Sequence, residues 1–141
     1  MSARKLAEGF ELDDDPARID LEAVHRFLSE ESYWAKSRPR PVVEELVRGA
    51  ARVVGLYDGP RQIGFARVVS DGHVLAYLAD VYVLPEYRGR GLGVELVRET
   101  VERGPQAGLR WLLHTNDARG LYERFGFGQP SDTLLERPRG A

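Results

Sequence analysis

The apolar positions of this 141-residue chain change period along its length, and each change marks a different kind of element. Residues 9–12 form a short extended run that Asp13-Asp14-Asp15-Pro16 ends, which reads as a short edge strand. Leu21, Val24 and Leu28 then recur at i, i+3 and i+7, so the spacing predicts a helix over 21–30. Asp20 stands at its N-cap, and Ile19 is placed to staple onto Val24. The acidic run is a solvated approach to this helix, whose positive dipole end tolerates it. After the polar and aromatic loop Ser32-Tyr33-Trp34-Ala35-Lys36-Ser37-Arg38-Pro39, a second helix starts near Pro41. Val43, Leu46 and Val47 are its apolar stripe and Gly49 its stop.

Strand-like runs follow at 52–57 and 62–70, joined by Asp58-Gly59-Pro60. Ser70-Asp71-Gly72 turns into a third run, 74–84, which Pro85 closes. Three strands with tight turns make an antiparallel meander. Helical period returns over 91–103, where Leu92, Leu96, Val97 and Val101 share a face, and Gly104-Pro105 ends it. A short apolar strand at 111–114 precedes a last helix carrying Ala118, Leu121, Tyr122 and Phe125, which stops at Gly126. A strand–helix–strand unit implies a parallel pair. The expected architecture is therefore α/β (α+β): a mixed sheet of about six or seven strands, antiparallel first and parallel last, covered by about four helices. The seventh strand depends on a pairing at 133–136.

Composition narrows the function. With 43% hydrophobic and 30% charged residues, the chain reads as one domain over 1–141 with a single core. It has no cysteine, which excludes disulfide frameworks, zinc–thiolate sites, iron–sulfur clusters and Cys nucleophiles. A net charge of −2 argues against a broad nucleic-acid footprint. No apolar run is long enough to cross a bilayer, and the basic start MSARK has no apolar stretch behind it, so neither a membrane partner nor a secretory leader is expected. The expected compartment is the cytoplasm.

The chemistry concentrates in Asp80-Val-Tyr-Val-Leu-Pro-Glu-Tyr-Arg-Gly-Arg-Gly-Leu-Gly93, a buried-type strand leading through a glycine-rich loop into a helix. Glycine permits positive φ and close backbone approach, and the N–H groups at a helix start attract an anion. By its physics the segment is a phosphate cradle, with Arg88 and Arg90 adding positive charge. It is not a Walker loop, because no Gly-Lys-Ser/Thr follows. Nor is it a dinucleotide fingerprint, because Gly89, Gly91 and Gly93 are evenly spaced.

The order of these motifs resembles the GCN5-related N-acetyltransferase (GNAT) family. Arg88-x-x-Gly91-x-Gly93 is similar to its pyrophosphate loop, and Leu121-Tyr122-Glu123-Arg124-Phe125-Gly126-Phe127 to its Leu-Tyr-x-x-x-Gly-Phe. The resemblance runs from Val74 to Phe127. It implies acetyl-CoA bound where the strands at 74–84 and 111–114 splay, with no metal. The backbone of Val81, Tyr82 and Val83 would pair with the pantetheine amides as an added strand, and the N–H groups of Gly89, Arg90, Gly91, Leu92, Gly93 and Val94, beside Arg88, would hold the pyrophosphate. The side chains of Val81 and Val83 equally suit core packing.

The resemblance further implies that Tyr122 sits near the thioester sulfur and protonates the departing thiolate; an aromatic on an apolar helix face is otherwise core. A thiol has a pKa of about 8.5 and tyrosine about 10, so the phenol assists departure. An amine would attack the thioester directly in a ternary complex, with the N–H of Val83 facing the oxyanion. Asp80 is the candidate general base, directly or through water; its other reading is a carboxylate hydrogen-bonded at a bulge. Glu86 is a second, more solvated candidate, while His114 and His73 read as structural and exposed.

Many members carry Asn seven residues before the motif Tyr; here Thr115 stands there, followed by Asn116 and Asp117, any of which can cap the last helix. Gly120 inside that helix fits either an approaching pantetheine arm or tight helix–sheet packing. Tyr33 and Trp34 are the candidate acceptor walls, and Lys36, Arg38 and Arg40 point to an acceptor with negative charge. The expected activity is N-acetyl transfer from acetyl-CoA to a small-molecule primary amine. Transfer to a protein α- or ε-amine, an acyl-CoA sensor without turnover, and a nucleotide-binding regulator are the alternatives. Dimers are common in the resembling family, which makes a homodimer the expected assembly.

Overall fold

The computed structural model describes residues 3–140. Its strands are β1 (Arg4–Lys5), β2 (Phe10–Asp13), β3 (Arg52–Asp58), β4 (Arg61–Ser70), β5 (Leu75–Val83) and β6 (Arg110–Leu112), and its helices α1 (Leu21–Glu30), α2 (Arg40–Gly49), α3 (Leu92–Glu102) and α4 (Arg119–Glu123). The strands form one sheet in the order β1-β2-β3-β4-β5-β6. Neighbours pair antiparallel from β1 to β5, and β5 pairs parallel with β6.

The periodicities locate the elements well. Helix α1 spans the expected residues, and the Asp20 side chain caps it by accepting from the N–H of Ala23 at 3.0 Å. Two expectations are corrected. The run at 9–12 is not an edge: β2 pairs with β1 on one side and β3 on the other, and the edge is the two-residue β1. Among the described residues no strand forms at 133–136, so the sheet has six strands. Strand β6 is also shorter than its apolar run, since Leu113 and His114 lie beyond the pairing.

Helices cover both faces of the sheet. Val24, Phe27 and Leu28 of α1 and Val43 and Val47 of α2 pack with Val53, Phe65 and Tyr82. Leu92, Leu96, Val97 and Val101 of α3 and Tyr122 of α4 pack with Leu12, Val54, Leu56 and Val83. Adjacent residues Val53 and Val54 thus serve opposite cores, as the two-residue period of a strand requires.

A buried ion cluster binds α3 to the first strands. Arg52 Nη2 donates to Glu99 Oε2 at 2.9 Å, Arg52 Nε to Asp14 Oδ2 at 3.0 Å, and Arg4 Nε to Glu99 Oε1 at 2.7 Å. The Glu99 and Arg52 side chains are 3% and 5% exposed. Burial would push the Glu99 carboxyl up, but the hydrogen bonds of Arg4 and Arg52 hold it below its ordinary value. Gly104, just beyond α3, leaves the room this needs: a Cβ there would lie 2.4 Å from Arg52 Nη1.

Removing one partner of a buried pair strands the other charge, so Glu99→Ala is expected to cost about 3–5 kcal/mol in urea unfolding. A lowered carboxyl pKa stabilises the fold above the unfolded value, and that contribution disappears as pH falls through the folded value. The gap between wild type and Glu99→Ala should therefore narrow as pH drops below about 4.

Candidate functional site

The site is built where two strands part. Pairing of β5 with β6 runs from Leu75↔Arg110 to Tyr77↔Leu112 and ends there. Three residues later β5 kinks: Asp80 has φ +55°, and the register with β4 shifts between Phe65 and Arg67. Positive φ is unfavourable for a residue with a Cβ. Here it is held by the side chain, because Asp80 Oδ2 accepts from Arg67 Nε at 2.8 Å and Arg38 Nη1 at 3.0 Å, and Oδ1 from Trp34 Nε1 at 3.0 Å. Burial would raise the Asp80 carboxyl, but Arg67 and then Arg38 outweigh it and hold the carboxyl below its ordinary value.

Past the kink the side chains of β5 are committed to packing. Tyr82 stacks on Phe27 with centroids 3.9 Å apart and rings 9° from parallel. Val83 is buried, and Val81 packs against the same core. β4 pairs with one edge of this stretch, and on the other edge, where β6 has ended, no strand among the described residues pairs with it. The carbonyl of Val83 accepts from Arg88 Nε at 3.0 Å, so Arg88 braces the strand where the loop begins.

That loop turns at Gly89 and Gly91, with φ of +81° and +77°, and Gly91 is the N-cap of α3. The first helical bond there runs from the N–H of Glu95 to the carbonyl of Gly91 at 3.2 Å. The amides of Leu92, Gly93 and Val94 therefore precede the intrahelical ladder, as donors at a positive helix end. A Cβ at Gly89 or Gly91 would meet nothing within 4 Å, so the cradle is open. Leu92 anchors it in the core, and the Arg90 guanidinium lies 5.5 Å from the centre of the Tyr87 ring.

A cavity of about 340 Å³ lies beside the kink, lined by Tyr33, Trp34, Arg38, Arg67, Asp80 and Tyr122 among others. A second, of about 570 Å³, runs along β6 and is walled by Trp111, Phe127 and Leu134. Tyr122 lines both. Its phenol is pushed up to about 12, chiefly by burial and further by Tyr33 and Asp117.

The structure brings Tyr33, Trp34, Asp80 and Tyr122 together, and it adds Arg67, which sequence reasoning missed. The available signal was a lone cation inside the apolar run 62–69. Of the three expected basic residues only Arg38 lines the cavity; Lys36 and Arg40 are exposed elsewhere. Glu86 is an exposed charge paired with Arg61 at 3.1 Å. His114 lies between the Tyr77 hydroxyl and the Glu136 carboxylate. Thr115 Oγ1 accepts from the N–H of Ala118 at 3.1 Å, and the Asn116 amide donates to the Tyr33 hydroxyl at 3.0 Å, which closes one wall of the cavity. A Cβ at Gly120 would touch nothing within 4 Å, so packing does not require that glycine.

Comparison with known proteins agrees with this geometry. Residues 21–127 match the model of the acetyltransferase (GNAT) family. A protein from Gibberella zeae described as an acetyltransferase is 29% identical over 130 residues, covering 77% of this chain and 72% of its own length. The crystal structure of a protein from Xanthomonas campestris pv. campestris, described as an acetyltransferase of the GNAT family, has a TM-score of 0.86 at 38% identity, covering 92% of this chain and 93% of that one. An aminoglycoside N-acetyltransferase solved in complex with CoA shares the fold, with a TM-score of 0.65 at 18% identity over 96% of this chain and 99% of that one.

The cradle makes a direct prediction. Gly91→Ala is expected to lose about 1–2 kcal/mol of stability through φ alone. Gly108→Ala is the control in the same denaturant titration, since its φ is ordinary and a Cβ there also meets nothing within 4 Å.

Proposed function

This chain belongs to the acetyltransferase (GNAT) family, whose members transfer acyl groups from acyl-CoA, and we propose that it moves acetyl from acetyl-CoA to the primary amine of a small molecule by direct attack. The observation that carries the reading is the parting of β5 and β6 after Tyr77↔Leu112, with the open cradle following β5 and Tyr122 lining the cavity beside the kink. A cavity of about 340 Å³ supports a small acceptor, since ligand pockets begin at about 300 Å³.

The residues fit acetyl-CoA. The amides from Gly89 to Val94 face a diphosphate in the proposed complex, with Arg88 and Arg90 adding charge. The main chain of Val81, Tyr82 and Val83 takes the pantetheine amides as a strand would, while their side chains stay in the cores. The bound thioester supplies the electrophilic carbonyl. A neutral amine forms the new C–N bond, the C–S bond breaks, and the proton shed by the amine ends on the CoA thiol. The N–H of Val83 is the proposed donor to the carbonyl oxygen.

Magnitudes assign two roles. With Tyr122 at about 12 and a thiol at about 8.5, full proton transfer from phenol to thiolate is uphill by roughly 5 kcal/mol. Tyr122 therefore acts by donating a hydrogen bond to the departing sulfur. Asp80 accepts three hydrogen bonds and sits below its ordinary pKa, which makes it a poor base toward an ammonium near 10. We assign Asp80 the positioning of Arg38, Arg67 and Trp34, with water taking the proton of the ammonium before the neutral amine attacks.

Tyr122→Phe is expected to lower kcat by about 100-fold or more while leaving the Kd for CoA unchanged in calorimetry. An unaltered kcat would remove the role, and absence of thiol release from wild type with every amine would favour a sensor. Because no side chain is assigned as base, the rise of kcat/KM with pH should follow the pKa of each acceptor, read across amines of graded basicity. An inflection common to all of them would restore a protein base.

A further inference from the structure

We infer that the acceptor carries a carboxylate as well as its amine, as an amino acid does, and that Arg38 and Arg67 receive that carboxylate in the cavity beside Asp80. The inference rests on the acyltransferase reading and names the class of its acceptor.

Charge balance is the first argument. Arg38 and Arg67 both bond to the one oxygen Oδ2 of Asp80, and Trp34 occupies Oδ1. Two cations thus share one anion at this end of the cavity. The Arg67 and Asp80 side chains are 11% and 4% exposed and that of Arg38 23%, so most of the surplus positive charge is withdrawn from bulk water. A buried charge calls for a partner, and none of the described side chains supplies a second carboxylate to either guanidinium.

Donor geometry is the second. A guanidinium carries five N–H bonds in a planar fork. Among the described residues, Arg67 bonds to protein only through Nε and Arg38 only through Nη1. Arg67 therefore keeps both terminal nitrogens, the pair that engages a carboxylate side by side. Asp80 holds the two forks in place before any ligand arrives, so little side-chain entropy is lost on binding.

A further carboxylate in the same cavity supplies the opposite charge. Asp117 lines the same cavity and acts on the Tyr122 phenol, where an amine must arrive to meet the thioester. The other titratable side chains of the lining are Tyr33, Tyr77 and His114; the ring of His114 is turned to Tyr77 and Glu136. The lining thus offers two guanidiniums around Asp80 and one further carboxylate, Asp117, beside the Tyr122 phenol, a set of charges that suits a molecule with both a carboxylate and an amine. Tyr33 and Trp34, packed edge to face at 5.0 Å and 50% and 39% exposed, form an apolar wall for what lies between.

The test is acetyl transfer, followed by thiol release, to the twenty common amino acids, β-alanine and 4-aminobutyrate, each beside its amide and its decarboxylated amine. CoA binding is measured separately by calorimetry. At least one acid is expected to exceed its amide and its amine by about 10- to 100-fold in kcat/KM, as for a lost charge-assisted hydrogen bond. In Arg38→Gln that ratio should fall toward one through KM, with the Kd for CoA unchanged. Acids no better than their amides, a ratio that survives Arg38→Gln, or no turnover of any acid by protein that binds CoA would each overturn the inference. Failure to bind CoA at all would overturn the acyltransferase reading beneath it.

Discussion

The carboxylate of Asp80 is the interaction on which the site depends. It lies at the kink in β5, and it fastens two other parts of the chain there: the loop between α1 and α2, through Trp34 and Arg38, and β4, through Arg67. A backbone at φ +55° is unfavourable for aspartate, and three hydrogen bonds, two of them from cations, offset that cost. The kink follows the point, after Tyr77, where β5 passes from pairing on both edges to pairing only with β4. One side chain thus shapes both the opening for the acyl donor and the chamber for the acceptor.

The far side of the sheet carries a second buried charge cluster with a different task. Arg52, Glu99, Arg4 and Asp14 join the C-terminal part of α3 to β1, the start of β3 and the residue after β2. Helix α3 presents the cradle at its other end. Fixing the tail of a helix in a buried ion cluster fixes the direction of its N-terminal amides, because an eleven-residue helix is stiff over its length.

Much of this was legible in the sequence, for identifiable reasons. The helices followed from their 3.6-residue period and the meander from its turn residues, because burial of one face writes itself into spacing. The cradle and Tyr122 stood out because positive φ demands glycine and because their order resembles a known family. What spacing does not carry is which strand ends up at an edge. By spacing the run at 9–12 is peripheral, yet it is interior in the sheet, because β1 is two residues long and leaves no periodic trace. The sequence marks Asp80 but not its partners, and the one mark of Arg67 is a charge in an apolar strand. Their meeting depends on cross-strand register and on where a loop folds back, both set by tertiary packing.

The wedge between β5 and β6 is made by stopping a ladder early. Three residue pairs are formed and the next ones are withheld, so backbone groups that could satisfy one another are kept apart. The two strands resemble a partly drawn zipper whose slider is the kink at residue 80. If β5 ran straight, continued pairing toward Val81 would close the seam and erase the chamber. The opening is therefore a standing departure from the most stable sheet, and the fold tolerates it at the point where another molecule's amides can complete the pattern.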